Sequence, residues 1–243
     1  MDQTDARATG PGIAHGAAGV RPVTDGSHGQ AGEAGGGPGR GGAPRPLGGG
    51  ESVRSRGTDG DVTARASALV RELLQLFGHD PGREGLAETP WRVARFYQEF
   101  LAARPLPRLT TFDAEHTDEM IVLRAVPFFS LCEHHLLPFV GTATVGYVPA
   151  ARIVGLSKIP RIVHHFARGL QNQERLVQQV ANCLVETLQP KGVGVILHAR
   201  HLCMEMRGVQ IAGTVTTTSA LRGVFLEDAR CRREFLDFDA KTG

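Results

Sequence analysis

Glycine is concentrated at the start of this chain, where 18 of its 31 glycines fall within the first 60 of 243 residues. The stretch 31–50 reads AGEAGGGPGRGGAPRPLGGG and shows almost no apolar periodicity. Such a segment cannot bury enough surface to offset the entropy lost on ordering. We therefore predict that residues 1–60 form a disordered Gly/Pro/Arg-rich tail and that the fold is built by residues 61–243. A solvating tail is favoured over a specific binding arm.

Charge and hydropathy exclude several classes of protein. A net charge of +2 argues against nucleic acid or an anionic membrane as a partner. No apolar run approaches the roughly 18 residues that span a bilayer, and MDQTDARATG lacks the features of a signal peptide. Four cysteines do not suggest a disulfide scaffold. We expect a cytoplasmic protein whose clustered cysteines are metal ligands or core residues.

Helical periodicity begins near Asp61. In VTARASALVRELLQLFG, apolar residues from Leu69 to Phe77 recur at helical spacing, and Gly78 is expected to end the helix. A second helix is expected with Thr89 as its N-cap and Pro90 as its first residue. These N-terminal helices are placed at about 62–104.

The remaining pattern predicts a core at about 118–238. EMIVLRAV and GTATVGYV indicate strands, and two helices follow, the first capped by Ser157 and the second covering 173–188. VGVILHA, VQIAGTVTTTSA and GVFL indicate further strands. The order of strand pair, helix pair and strand pair favours an α+β fold, with an antiparallel sheet and two helices packed on one face.

The densest chemistry is Cys132-Glu133-His134-His135. A C-x-x-H spacing lets thiolate and imidazole reach one ion from a tight turn, and this donor pair suits Zn²⁺. In a strand, His201 and Cys203 would project to the same face. The ligand set Cys132, His135 and Cys203 leaves one tetrahedral position open, as catalytic sites do, and leaves His134 and His201 for proton transfer. A closed structural site, with one of these histidines as fourth ligand, is the alternative.

No competing catalytic template occurs in the sequence. It has no phosphate-binding G-x-x-x-x-G-K-[ST] loop, no G-x-S-x-G elbow and no nucleobase-deaminase H-x-E with C-x-x-C. Cys183 lies on a helical stripe and is expected in the core, whereas Cys231 is expected to be a bystander thiol.

Several long motifs occur together in one order: EGLAETPWRVARFY, CEHHLLPFVG, GLSKIPRIV, QNQERL, HLCMEMRGV and TTTSALRGVF. With these motifs the chain resembles the GTP cyclohydrolase I family over roughly Ala66 to Phe235. The resemblance implies the tunnelling fold and a homo-oligomer, a decamer of two pentameric rings with active sites at subunit interfaces. It also implies zinc-dependent conversion of GTP and water to 7,8-dihydroneopterin triphosphate and formate, the first step of folate or tetrahydropterin biosynthesis.

The resemblance also implies roles for individual residues. Cys132, His135 and Cys203 match the family's zinc ligands, His134 its acid/base histidine, and His201 a second histidine that assists proton transfer. Gln173 and Glu174 match the guanine-recognition pair. Ser157, Lys158, Arg161 and Arg207 match positions that hold the triphosphate and ribose, and Arg92 is expected to reach phosphate from a neighbouring subunit. Taken without the resemblance, Ser157 is a helix cap and the cations are solvated surface residues.

Three other functions are weighed against this one. A related zinc tunnelling-fold enzyme could act on another purine or pterin, but the chain has Glu174 and the triphosphate cations. A catalytically silent ring-forming regulator should lack a zinc ligand or acid/base residue, and none is missing. A nucleic-acid-binding module is disfavoured by the weak net charge. One departure from the family wording is Asn172 in QNQERL, where a small apolar residue is more usual.

Overall fold

The structure is a computed structural model that describes residues 59–115 and 117–240. The predicted tail therefore lies outside the described residues, apart from its last two positions. The helices are α1 (Asp59–Leu76), α2 (Thr89–Leu101), α3 (Lys158–Ala167), α4 (Gln173–Leu188), α5 (Leu202–Glu205), α6 (Val224–Glu227) and α7 (Ala229–Ala240). The strands are β1 (Thr111–Asp113), β2 (Ile121–Cys132), β3 (Pro138–Val148), β4 (Arg152–Val154), β5 (Leu170–Gln171), β6 (Gly192–His201) and β7 (Val215–Gly223). The α+β prediction is confirmed.

A five-stranded sheet in the order β5-β2-β3-β6-β7 forms the centre of the fold. Its four long strands pair antiparallel, as predicted. The two-residue strand β5 pairs parallel with the end of β2, so the sheet is mixed rather than purely antiparallel. The sequence does not indicate β5 because two residues between two helices carry no strand periodicity. A separate antiparallel pair, β1 with β4, was also not predicted.

The helix pair α3 and α4 covers one face of the sheet. The predicted stripe of α4, from Leu176 to Leu188, is buried, and so are the inward residues of α3. They pack on alternate sheet residues such as Val195 and Leu197. Helix α4 has the predicted bounds, and Cys183 is buried in it as expected. Amphipathic periodicity and burial agree here, which explains why the prediction holds.

The opposite face of the sheet carries α6 and α7, which the sequence analysis did not predict. Phe225 of α6 and Phe235 of α7 pack edge to face against each other and form a buried cluster with Ile196 of β6. The prediction that GVFL is a strand is wrong. Gly223 has φ +57°, in the left-handed region, and the chain turns there into α6. The sheet is therefore covered by helices on both faces rather than on one.

The two N-terminal helices form where predicted. Helix α1 is followed by Gly78 at φ +77°, which ends it. Helix α2 starts at Thr89, but its N-cap is Glu88 and no side chain bonds to the helix end, so the N-cap prediction for Thr89 is wrong. The apolar stripe of α1 is largely exposed, with Leu69 at 67% and Leu76 at 75%. No helix within the described residues has the length and apolarity needed to cross a bilayer.

Candidate functional site: a metal-binding turn and its histidines

The CEHH motif forms the turn between β2 and β3. Cys132 is the last residue of β2. Its carbonyl accepts from the amide of Leu136 at 2.9 Å, and its amide donates to the carbonyl of Leu137 at 2.9 Å. Leu136 has φ +56°, a conformation that tightens the turn. The turn therefore holds Cys132 at the end of a strand and presents His134 and His135 just beyond it.

The second half of the motif is arranged differently from the prediction. Strand β6 ends at His201, and Cys203 lies in the short helix α5 rather than on the same strand. The pairing of β3 with β6 sets Phe139 opposite His201. Because Phe139 follows the CEHH turn closely, this register brings Cys203 to the turn. His201 and Cys203 need not project from the same face of one strand, as the prediction had assumed.

Cys132, His135 and Cys203 form a group that could hold a metal ion. Their ligand atoms lie within 4.8 Å of one another. The Cys132 Sγ atom is 3.7 Å from Nδ1 of His135 and 3.8 Å from Nδ1 of His134. Both cysteines are buried, whereas His135 is exposed. Two sulfurs and one imidazole form a soft donor set that fits Zn²⁺ and leaves one position of a tetrahedron free.

The Cys203 thiol is held in its neutral form unless a cation binds. Burial raises the pKa of the Cys203 thiol, and the neighbouring Cys132 sulfur raises it further, while Arg207 opposes the shift. Two thiolates in such a place repel each other unless a cation binds between them. Metal binding would therefore release protons and stabilise this part of the fold.

His201 lies beside this group in a firmly defined position. Its ring stacks on Phe139 with a centroid separation of 4.8 Å and an interplanar angle of 4°. Its Nε2 is 2.8 Å from Oε1 of Gln173. Burial lowers the pKa of His201, and the carboxylate of Glu174 partly offsets this shift. A neutral imidazole near a carboxylate and a candidate metal group can accept a proton.

A polar brace that the sequence patterns did not predict connects the CEHH turn to the start of α4. Arg175 Nη2 is 2.5 Å from Oε2 of Glu133, and Asn172 Nδ2 donates to Oε1 of Glu133 at 2.9 Å. Asn172 also caps α4 by accepting from the Arg175 amide at 2.7 Å. The hydrogen bonds from Arg175 and then Asn172 hold the pKa of Glu133 below its usual value. Asn172 immediately before a helical stripe was the signal that could have indicated the cap.

The residues predicted to contact substrate lie on several elements. Ser157 is the N-cap of α3, as predicted, but its hydroxyl makes no capping bond. Lys158 and Arg161 are in α3, Arg207 follows α5, and Arg92 is in α2. Within residues 59–115 and 117–240, the side chains of these four cations make no hydrogen bond or ion pair. His134 is exposed, with Nε2 at 3.9 Å from Oε1 of Glu133.

The two predicted guanine-binding residues have different surroundings. The Glu174 side chain is exposed and has no hydrogen-bond or ion-pair partner among the described residues. Gln173 is only 1% exposed, and its Nε2 donates to the carbonyls of Leu197 and Thr216. Adjacent residues of a helix point about 100° apart, which separates one side chain into the core and the other into solvent.

Fold and site together define an α+β protein with a three-ligand candidate metal centre flanked by histidines, an arrangement typical of metal-dependent enzymes. A sequence model of GTP cyclohydrolase I matches residues 66–239. The protein named GTP cyclohydrolase 1 of Mycobacteroides abscessus is 52% identical over 185 residues, which cover 74% of this chain and 90% of that protein. The protein of the same name from Campylobacter jejuni strain RM1221 is 50% identical, and the match covers 68% of this chain and 90% of that protein. The one from Mycolicibacterium paratuberculosis is 53% identical, and the match covers 72% of this chain and 88% of that protein. The chain belongs to the GTP cyclohydrolase I family.

Among solved structures, the apo form of an archaeosine synthase QueF-Like protein matches this chain, and the match covers 43% of this chain and 93% of that one. The identity is 14% and the TM-score 0.36, too low to support a statement about the fold.

Proposed function

We propose that this chain catalyses the zinc-dependent conversion of GTP and water to 7,8-dihydroneopterin triphosphate and formate. The observation that carries the proposal is the convergence of Cys132, His135 and Cys203 within 4.8 Å in a member of this family. The pathway served would be folate or tetrahydropterin biosynthesis, and the compartment the cytoplasm.

Cys132, His135 and Cys203 would hold the zinc ion. When bound, zinc would supply the Lewis acidity that makes water a nucleophile near neutral pH, for attack on C8 of the purine. His134, exposed next to the turn, would protonate N7 as the imidazole ring of the base opens. His201 would accept and return a proton on the other side of the site.

Glu174 would recognise guanine. Its free carboxylate can accept from both N1–H and the 2-amino group, and adenine would leave that carboxylate unpaired. Because both amide hydrogens of Gln173 are bonded to strand carbonyls, we assign the side-chain contact with the base to Glu174 alone. Gln173 stays a predicted member of the site because it is the neighbour of Glu174 in the chain.

The unpaired cations would bind the rest of the nucleotide. Lys158, Arg161 and Arg207 carry charge without a protein anion among the described residues, and the free Ser157 hydroxyl lies at the start of the same helix as the first two. A ligand with several negative charges supplies the missing partners. Arg92 would contribute from a neighbouring subunit.

We further propose that the catalytic domain spans residues 61–243 and assembles through its sheet into a homo-oligomer, a decamer of two pentameric rings with the tunnelling fold. Strand β7 is the last strand on one side of the sheet, so one edge of it has no strand partner within the described chain. An open edge and the exposed apolar stripe of α1 both favour association.

The test is incubation of the purified, zinc-loaded full chain with GTP, followed by oxidation and fluorescence detection of neopterin. Cys203→Ala should lower both zinc content and product, because it removes one of three protein ligands. Cys231→Ala is the matched control, since Cys231 lies on α7 outside the metal group, and it should keep both. Equal zinc and product in wild type and Cys203→Ala would remove Cys203 from the ligand set. Absence of neopterin in the zinc-loaded wild type would refute the proposed reaction.

A further inference from the structure

The buried side chain of Gln173 reaches from the first turn of α4 to two strands and a histidine. Its Nε2 atom lies 3.0 Å from the carbonyl oxygen of Leu197 in β6 and 2.9 Å from that of Thr216 in β7. Its Oε1 atom lies 2.8 Å from Nε2 of His201. All three contacts are made at a position that is only 1% exposed.

These contacts determine which atom donates in each hydrogen bond. A backbone carbonyl can only accept, so both Leu197 and Thr216 require a hydrogen from Gln173. An amide has two hydrogens, both on nitrogen, and the two carbonyls use both of them. The remaining amide atom facing His201 is the oxygen, which can only accept. His201 must therefore donate from Nε2.

A neutral imidazole carries one ring hydrogen. With that hydrogen on Nε2, the Nδ1 atom of His201 has a free lone pair. The stacked ring of Phe139 restricts rotation of the imidazole, and His201 itself lies at the end of a paired strand. The ring is therefore held in one orientation as well as in one tautomer.

We propose that Gln173 is a positioning residue that holds the His201 ring in one orientation and in the tautomer with hydrogen on Nε2. The inference rests on the proposed catalytic function of His201.

The tautomer can be measured directly in the full zinc-loaded chain labelled with nitrogen-15 histidine. Two-bond proton–nitrogen correlations distinguish a protonated Nε2 from a protonated Nδ1, and the His201→Asn variant identifies the signal that belongs to His201. We expect a protonated Nε2 in the wild type. A bare Nε2, with the hydrogen on Nδ1, would overturn the proposal.

The variant that tests the coupling is Gln173→Met, which keeps the length of the side chain and removes the amide. We expect mixed tautomers and a fall in kcat of at least about tenfold, part of the roughly 10²- to 10⁴-fold that a positioned acid–base group contributes. KM for GTP and zinc content should stay at wild-type values. Gln179→Met is the matched control, because Gln179 lies on the same helix and loses a hydrogen bond to Gln171 rather than to His201; it should keep the wild-type tautomer and kcat.

An unchanged tautomer and kcat in Gln173→Met would also overturn the proposal. If that variant does not fold, the wild-type spectrum still decides the position of the hydrogen. Failure of this proposal can be distinguished from failure of the proposed function. If the wild type forms no neopterin but shows the expected tautomer, the reaction assignment fails and the hydrogen-bond assignment stands.

Discussion

Glu174 is an acidic residue in the first turn of α4, and its exposed carboxylate is unpartnered within the described residues. We predict that Glu174→Gln impairs GTP turnover without unfolding the protein. The amide replaces one of the two carboxylate acceptors that face the guanine donors by a donor of its own, so one contact becomes repulsive. A mismatch of this kind weakens transition-state binding by several kcal/mol, which lowers kcat/KM by roughly 10²-fold or more.

The competing interpretation is that Glu174 only interacts favourably with the helix end, which is worth about 0.3–1 kcal/mol. Steady-state kinetics and the thermal midpoint separate the two interpretations. Glu186→Gln makes the same chemical change at an exposed position of the same helix and should leave both measurements unaltered. Normal kinetics combined with slightly lower stability in Glu174→Gln would assign the residue to the helix end.

At the level of single residues, the predicted ligands Cys132, His135 and Cys203 do lie within 4.8 Å of one another. The strand geometry used to predict the position of Cys203 was wrong, because Cys203 lies in α5 beyond the end of β6. The burial of Gln173 was not predictable, because it depends on the distance between α4 and the carbonyls of β6 and β7. Tertiary packing, rather than local sequence, makes Gln173 an internal residue beside the exposed Glu174.

Among the secondary-structure elements, α4 is tied to the CEHH turn through Asn172. We predict that Asn172→Ala lowers the free energy of unfolding by about 0.5–2 kcal/mol, the usual cost of losing an N-cap. It should also speed the loss of zinc to a chelator, because Glu133 loses the amide that orients it. Asn172→Ser should restore much of the stability but not the zinc retention, since its short hydroxyl can cap the helix without reaching Glu133.

The pH dependence of this brace follows from the lowered pKa of Glu133. Its stabilisation is fully present above the ordinary pKa of a glutamate and is lost as the pH falls through the lower pKa of the folded state. The difference in stability between wild type and Glu133→Gln should therefore disappear in acid.

Zinc loss from Asn172→Ala at the wild-type rate would show that the brace does not act on the metal turn.

The C-terminal helices depend on glycines in the sheet beneath them. A Cβ atom on Gly194 would lie 2.6 Å from Cε1 of Phe235 and 2.9 Å from Cδ1 of Phe225. We predict that Gly194→Ala displaces α7 and lowers the free energy of unfolding by about 1–3 kcal/mol, the typical cost of overpacking. Chemical denaturation at fixed protein concentration measures this change.

Gly155→Ala is the control for that substitution, because the nearest atom to its added Cβ is 3.7 Å away, an ordinary contact. It should change stability little. Equal stability of Gly194→Ala and wild type would show that α7 does not pack tightly on the sheet in solution.

Elements with strong periodicity were predicted well, and those set by distant contacts were not. The stripe of α4 and the stop near Pro190 defined its bounds. GVFL has the apolar, partly β-branched composition of a strand, yet it is helical because Phe225 packs under Phe235 of a later helix. In the same way, VQIAGTVTTTSA becomes a strand only from Val215, where pairing with β6 begins.

At the scale of the whole molecule, the glycine-rich start is expected to be dispensable. We predict that a chain lacking residues 1–55 keeps its thermal midpoint and its turnover of GTP. The first described helix begins at Asp59, and the composition before it cannot supply a core. The change in stability should stay within about 0.5 kcal/mol. A large drop in either quantity would show that the removed segment contributes to the fold or the site.

The proposed assembly makes a prediction about shared active sites. Arg92→Ala and Glu174→Gln should each be inactive as pure proteins, because each lacks one contact with GTP. If Arg92 of one subunit completes the site that contains Glu174 of its neighbour, random mixing in a ring gives about one quarter of the sites both intact residues. Co-expression of the two variants should then restore about that fraction of wild-type activity, in particles of the wild-type mass. If both residues served the same subunit, every site would keep a defect, and the mixture would show only the mean activity of the two variants.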